Sequence, residues 1–531
     1  MSGPPHKILI ADAVAPACAE TLRRAGNIQV DSAVEASAEE LRRRISGVEA
    51  LIVRSARRVD AQLLEAAPDL RVVGRAGEGV DNIDLETATR RGIVVMNTPG
   101  GNTYSAAEHT MSLLLALARH IPQANASLKG GGWERKRFVG VQLYEKILGI
   151  VGMGKVGREV ALRAGSFGMQ VIAHDPYLSE EMAEKLKVTF VPFDELLERS
   201  DFISLHIPLT DATRGLLSAD ELRHCKPGVR IINAARGGLI DEQALAEALR
   251  QGHVAGAALD VFSQEPPTAS ELLKLDNVIV TPHLGASTHE AQERVAVWIA
   301  EQVADFLLRG EVRNAVNLLP LDPKTAAILV PYQALAEKLG RMHAQLRRGR
   351  LKAIAIEYHG DVAEYPMAPI TSALLKGYFE SFRSGPVNAV NATYLAKSSG
   401  VHLSETRSAE HQDFANLINA TFTTSEGKTA IAGALFGKNN PRIVRLDNYS
   451  FDALPEGEIL LVSNDDTPGM VGKIGTILGR RGINISFMSV GRDTPAGTAV
   501  AILNLDDALD PEALREIRET KGVLWARRVR L

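Results

Sequence analysis

One turn constrains this chain more than any other segment. Gly152-Met153-Gly154-Lys155-Val156-Gly157 lies between an apolar run at 147–151 and an amphipathic run at 158–168, and Asp175 closes the next apolar stretch, 18 residues past the last glycine. A strand, a glycine turn and a helix, followed by a strand that ends in an acid, is the pattern of a nucleotide-binding parallel sheet. Gly152 permits the tight turn and Gly154 lets the backbone approach a pyrophosphate. Gly157 lets the helix pack closely on its strand, leaving the helix N-terminus to hold the anion. A carboxylate at Asp175 accepts hydrogen bonds from an adenosine ribose and repels a 2′-phosphate, which favours NAD over NADP. An ordinary glycine-rich turn is the plainer reading, and the flanking elements weigh against it.

The rest of the chain must make several cores. At 531 residues it is too long for one, and three or four domains are expected. Net charge is −4, from 60 basic and 64 acidic residues, so no general attraction to nucleic acid or anionic membrane follows and any anion site has to be local. Two cysteines, Cys18 and Cys225, exclude a disulfide framework and a multi-thiolate metal site and suit a reducing cytoplasm. No metal is expected. The first six residues lack a hydrophobic signal core, and the most apolar helical candidate, 111–118, is too short to span a bilayer.

Hydrophobic periodicity alternates strand and helix through the first 308 residues. Strands are predicted at 7–12, 50–53, 70–74 and 93–96, with a helix at 16–26, and a long helix at 105–120 marks a crossover between domains. Further strands at 202–206, 229–233, 256–260 and 278–281 alternate with helices, and the amphipathic helix 290–308 is expected to return to the first domain. Each late strand ends in polar residues: His206, Asn233 to Arg236, Asp260 and His283. Ligands of open α/β sheets bind outside the carboxyl ends of the strands, so these residues are expected around the cofactor that the glycine turn holds. Glu265, in a proline-braced loop, is placed to pair with His283; a solvated loop acid is its plainer reading.

The stretches 151–157, 233–241, 256–267 and 281–288, in that order, resemble the D-isomer-specific 2-hydroxyacid dehydrogenase family over roughly residues 5–316. The resemblance implies a Rossmann-type doubly wound NAD domain at 99–289 and a flavodoxin-like substrate domain made of 1–98 and 290–316. It implies a catalytic trio of Arg236, Glu265 and His283. The chemistry agrees: taking a hydride from C2 of a hydroxy acid requires removal of the hydroxyl proton, which suits a neutral imidazole at His283, with Glu265 orienting the ring and Arg236 gripping the substrate carboxylate. Cofactor contacts implied by the family fall on Gly152, Gly154, Lys155, Val156, Gly157, Asp175, His206, Ala234, Ala235, Arg236, Asp260, His283, Gly285 and Ala286. Substrate contacts fall on Arg54, Ser55, Arg75, Gly77 and Asn102, and Glu78 departs from the small or hydroxylated residue the family pattern leads one to expect. Residues 130–138 are glycine-rich, then basic and aromatic; by resemblance they form an arm exchanged between subunits, which brings Arg135 toward a partner's site.

Beyond Asn317 the pattern changes. Helices around 332–346 and 367–382, strands at 352–359 and 443–446 and a turn at 437–441 resemble an α+β intervening domain of long family members, spanning 317–456, with Lys438, Arg442 and Arg445 as candidate anion ligands. From Gly457 the order strand 458–463, turn 466–469, helix 470–481, strand 483–490, strand 498–505, helix 511–520 and strand 523–529 resembles a βαββαβ ACT domain. That implies an amino-acid effector, serine, held by Asp466 and Asn484 between paired domains of a homo-oligomer, dimer or tetramer. The resemblance implies NAD-dependent oxidation of 3-phosphoglycerate to 3-phosphohydroxypyruvate. A glyoxylate or hydroxypyruvate reductase, and an NAD-sensing binding protein on the same fold, stay open as alternatives.

Overall fold

The computed structural model describes residues 3–177, 180–382, 385–410, 413–494 and 497–531. Among them no helix is long and apolar enough to cross a membrane, and no group of His, Cys, Asp and Glu is placed to hold a metal ion. Cys18 and Cys225 are free and buried, and burial pushes both thiols up to about 12.

Four sheets organise the chain. The first is wholly parallel, in the order Ile28–Ser32, His6–Ile10, Ala50–Val53, Val72–Arg75, Val94–Met96. All four residues of Ala50–Val53 are buried, as a strand covered by helices on both faces requires. One cover comes from far along the chain. Helix His289–Arg309 starts where Thr288 accepts from the Ala291 amide at 3.2 Å and stops at the left-handed Gly310. Its stripe Val295, Ala296, Ile299, Ala300 and Val303 shares a core with Ile8, Ile10 and Val72, so the chain leaves the first sheet after Met96 and returns to it.

The second sheet is also parallel, in the order Val278–Val280, Val254–Leu259, Val229–Asn233, Phe202–Leu205, Ile147–Val151, Gln170–His174, Thr189–Phe190. The chain enters at Ile147–Val151, builds outward on one side and then restarts at Phe202–Leu205 on the other. The switch point lies between these two neighbours, where a doubly wound sheet opens its crevice.

The third sheet is mostly antiparallel, in the order His402–Ser408, Leu351–Gly360, Asn416–Thr424, Gly427–Phe436, Asn440–Leu446, Tyr449–Ala453. Helices Pro323–Leu346 and Ala368–Glu380 cover it. The fourth sheet orders as Ile485–Arg492, Thr498–Leu505, Glu458–Asp465, Val523–Arg530, the βαββαβ arrangement expected of the C-terminal segment. Its central strand is buried on both faces by the period of two: Leu460 and Val462 meet Ile474, Ile477 and Ile517 of its own helices, while Ile459 and Leu461 join the core of the third sheet.

Several elements differ from the sequence reading. The helix after the glycine turn begins at Lys155 rather than 158, because the turn's last residues form its first winding. The strand Ile28–Ser32 escaped notice because it is an edge strand with a mostly exposed, polar composition. The segment 437–441 is a tight connection whose last two residues already belong to strand Asn440–Leu446. The basic segment near Arg135 is ordered as a short 3-10 turn, Arg135–Phe138.

Candidate active site

The glycine turn is built as its sequence requires. Gly152 holds φ +95°, a conformation that L side chains rarely adopt, and a side chain at Gly157 would place its Cβ 2.1 Å from the Gly152 carbonyl oxygen. Gly154 heads the helix Lys155–Ser166 and faces open space. Asp175 folds back on the turn, its two oxygens accepting from the amides of Met153 at 2.8 Å and Tyr177 at 3.0 Å. Lys155 turns its ammonium onto the Pro99 carbonyl at 3.0 Å, tying the helix start to the turn that carries Asn102. Around that turn Thr98 Oγ1, Asn102 Oδ1 and Thr103 Oγ1 are buried with no protein partner. An open glycine, a helix N-terminus, an acid at the next strand end and orphaned polar atoms together fit a dinucleotide. His206, partly buried at the next strand end, bonds Ser204 through Nε2 at 2.8 Å; burial pushes it down to about 4, so it is neutral at pH 7.

Asp260 anchors the loop that follows the last strand. It is wholly buried, and Oδ1 accepts from the Thr281 hydroxyl at 2.6 Å and the Leu284 amide at 2.7 Å while Oδ2 accepts from the Gly285 amide at 2.8 Å. His109, on helix Thr103–Arg119, adds Nε2 at 3.1 Å. Burial opposes the Asp260 carboxylate, but these donors, His109 foremost, hold its carboxyl below the usual range. A carboxyl depressed in the fold lends stability above its unfolded titration range and loses it as pH falls through the folded value. Asp260→Asn keeps one acceptor but turns its NH2 toward a donor. A cost of about 1–3 kcal/mol is expected, read as a lower thermal midpoint at pH 7 than wild type and a smaller difference in acid.

The same loop presents His283. Its Nδ1 lies 2.9 Å from Glu265 Oε2, and Glu265 Oε1 accepts from the Phe262 amide at 3.1 Å. Burial works against the Glu265 carboxylate; the hydrogen bond and charge of His283 outweigh it and hold its carboxyl low. With a carboxylate at Nδ1, that nitrogen is the donor of the pair, and Nε2 stays outside it. Both side chains are about two-fifths exposed, so a substrate can reach them.

Three guanidiniums lie near one another, those of Arg54, Arg75 and Arg236. Arg75 is pushed down to about 10 by burial and then by the charges of Arg236 and Arg54, and its Nε has no partner. Arg236 follows strand Val229–Asn233; its Nε meets Asp81 Oδ2 at 3.1 Å and Nη1 donates to the Ala235 carbonyl at 2.7 Å. Loop 77–79 runs beneath them: a Cβ at Gly77 would stand 1.5 Å from Arg75 Nη1, and one at Gly79 2.2 Å from Arg236 Nη2. Ser55 sits on the exposed loop after Ala50–Val53. Glu78 uses its backbone carbonyl to accept from Asn97, and its carboxylate makes no ion pair among the described residues. Asn233 holds the Ala234–Arg236 turn from within, accepting from Ala235 at 3.0 Å and donating to the Arg236 carbonyl at 2.8 Å. Ala286 is partly buried beside Gly285.

Other candidates lie elsewhere. Arg135 stacks over Trp133 at 5.5 Å and touches none of these groups. Arg442 is matched by Asp452 at 2.9 Å and lies over Phe436, so it is not a free anion ligand, whereas Lys438 stands exposed and Arg445 half-buried. The Asp466 amide bonds Gly497 and Asn484 bonds Asp506, at opposite ends of strand Thr498–Leu505. About 23 Å of strand separates them, so one chain does not bring them together. Sequence reasoning missed Asp12, Asp81, Asn82 and His109, which act through partners distant in the chain.

Residues 111–285 match the D-isomer specific 2-hydroxyacid dehydrogenase NAD binding domain, 328–447 the D-3-phosphoglycerate dehydrogenase intervening domain, and 459–522 the ACT domain. The D-3-phosphoglycerate dehydrogenase of Archaeoglobus fulgidus is 42% identical over 99% of this chain and 100% of its own, and that of Bacillus subtilis 42% over 90% and 91%. Among solved structures, a glyoxylate reductase from Paecilomyes thermophila superposes with TM-score 0.55 and 32% identity, covering 59% of this chain and 99% of its own. D-lactate dehydrogenase from Aquifex aeolicus, complexed with NAD and lactic acid, gives TM-score 0.52 and 26% identity, covering 59% and 99%. The reductase covers 59% of this chain whereas the phosphoglycerate dehydrogenases cover 90–99% of it, and this chain belongs to their family within the NAD-dependent D-isomer specific 2-hydroxyacid dehydrogenases.

Proposed function

We propose that the protein oxidises 3-phosphoglycerate to 3-phosphohydroxypyruvate with NAD, the entry to serine synthesis. The observation that carries this is the presence of two constellations at the sheet ends, the neighbouring Arg54, Arg75 and Arg236 and the His283–Glu265 pair: a substrate with a carboxylate at one end and a phosphate at the other needs more than one cation. Arg236 holds the carboxylate and fixes C2. His283 Nε2 takes the hydroxyl proton as C2 gives up its hydride, and Glu265 stabilises the imidazolium that results. Bound NAD supplies the hydride acceptor, held by Gly154, Lys155 and Val156 at the turn, Asp175 at the ribose and Asp260 with Gly285 and Ala286 at the nicotinamide end.

The remaining parts follow from the same reading. Residues 1–98 with 290–316 bind substrate, 99–289 bind NAD, 317–456 form the intervening domain and 457–531 the ACT domain. The protein is a cytoplasmic homo-oligomer, supported by the exposed Trp133, Val139 and Tyr144 around the Arg135 arm, which reaches a partner's cleft. Serine binds between paired ACT domains, where Asp466 of one copy meets Asn484 of another; their separation within a single chain supports a paired site.

Initial rates with NAD and NADP across 3-phosphoglycerate, glycerate and 2-hydroxyglutarate, each with and without serine, test the reading. The expected result is preference for 3-phosphoglycerate with NAD and a rate lowered by serine, the serine effect vanishing in a chain ended before Gly457. Turnover of none of the three revives the NAD-sensing alternative, and equal rates with and without serine refute the effector assignment.

A further inference from the structure

Loop 54–57 carries two of the groups assigned to substrate, Arg54 and Ser55, and no regular element fixes it. Its shape is set from two sides instead. On one side lies Asp12, just past strand His6–Ile10 and 8% exposed. A single oxygen, Oδ2, accepts from the amides of Arg54 at 3.0 Å, Ala56 at 3.1 Å and Arg57 at 3.0 Å, while Oδ1 accepts from Ala13 at 2.9 Å. On the other side Asn82 Nδ2 donates to the carbonyls of Arg54 at 2.7 Å and Arg57 at 2.6 Å. Arg57 itself turns away, onto the carbonyls of Ala11 and Val34, which leaves Arg54 as the loop cation next to Arg75.

We propose that Asp12 is a positioning residue for the substrate anion, acting through Arg54 and Ser55, with Asn82 as its counterpart on the facing loop; this rests on the reading of Arg54 as a substrate ligand. Three amides converging on one oxygen favour a carboxylate over a neutral acceptor, since the negative charge strengthens each of the three bonds. The fixed negative charge has a second effect. It is felt at Arg75, where it favours the protonated guanidinium against the repulsion of Arg54 and Arg236. Asp12 thereby steadies a crowded cationic site without occupying a ligand position in it. Neither the His283–Glu265 pair nor the glycine turn touches Asp12, so its influence falls on affinity for the hydroxy acid and not on the chemical step or on NAD.

The test uses the full-length chain as wild type, D12N, N82A, R54A and the D12N/R54A double variant, measuring kcat, KM for 3-phosphoglycerate, KM for NAD and the thermal midpoint. D12N is expected to raise KM for 3-phosphoglycerate about tenfold, with kcat and the KM for NAD changed less than about twofold. N82A, which spares the buried carboxylate, raises the same KM about threefold and serves if D12N folds poorly. In the R54A background D12N adds less than it does alone, about threefold against tenfold, because the charged one of the two groups it positions is gone while Ser55 and the effect on Arg75 remain. An unchanged KM in D12N and N82A overturns the proposal, as does the same fold-rise with and without Arg54, which marks a merely structural role. Wild-type turnover with an unchanged KM in R54A removes the Arg54 assignment and the proposal with it, whereas no wild-type turnover of 3-phosphoglycerate removes the functional reading itself.

Discussion

Replacing His283 with alanine is expected to lower kcat by about 10²–10⁴-fold while leaving NAD affinity and the fold intact. The loss follows from chemistry: the C2 hydroxyl proton must leave as the hydride does, and among the described residues two other imidazoles near strand ends are engaged elsewhere, His206 held neutral at a different strand end and His109 committed to Asp260. Retention of the fold follows from how the loop is held. Asp260 fixes the amides of Leu284 and Gly285 and the Thr281 hydroxyl, and the imidazole contributes only its bond to Glu265. Residue 283 sits at φ +56°, which alanine tolerates no worse than histidine by more than about 1 kcal/mol. The measurement is single-turnover and steady-state kinetics beside a fluorescence titration with NADH. A rate that survives removes the case for His283 as base and favours a protein that binds NAD without turning it over.

The glycine turn and the strand ends were legible because their signals are local. Gly152, Gly154 and Gly157 are needed within one turn, and a parallel strand buried on both faces announces itself as an apolar run that ends where its ligands begin. The pairing of Glu265 with His283, 18 residues apart, was legible from the proline-braced loop and the strand end together. What escaped was the scaffold beneath. Asp12 reaches Arg54 across 42 positions and Asp81 reaches Arg236 across 155, and neither contact leaves a periodic mark, because each joins a side chain to a segment that only the fold brings near. His109 was hidden for another reason: it lies within a long, largely buried helix, where its partner on the neighbouring strand end decides its role. Arg135, Asp466 and Asn484 belong to a third class: the resemblance implied them, and within one chain Arg135 touches only Trp133 among the groups described while Asp466 and Asn484 lie at opposite ends of a strand.

Arg236→Lys carries the second large expectation, a fall of about 100-fold in kcat/KM for 3-phosphoglycerate with little change in the KM for NAD. The charge is kept in this variant, so the loss isolates geometry. Arg236 leaves the strand end braced at both ends of its guanidinium, Nε on Asp81 and Nη1 on the Ala235 carbonyl, with Nη2 lying over Gly79, where any side chain would collide with it. This fork links the loop of the first sheet to the strand end of the second, and it fixes a planar donor set for a carboxylate. A lysine ammonium is a point charge on a flexible stem: it can satisfy Asp81 or attract the substrate, but it cannot orient a carboxylate through two parallel bonds while staying braced. Misorientation of C2 lowers the frequency with which the hydroxyl meets His283 Nε2, so kcat falls together with affinity. Removing the Arg236 charge also relieves a repulsion on Arg75, which is why alanine is the poorer probe: it changes the electrostatics of the whole cluster at once. A kcat/KM within about threefold of wild type in Arg236→Lys would show that charge alone suffices and would move the carboxylate onto Arg75 or Arg54.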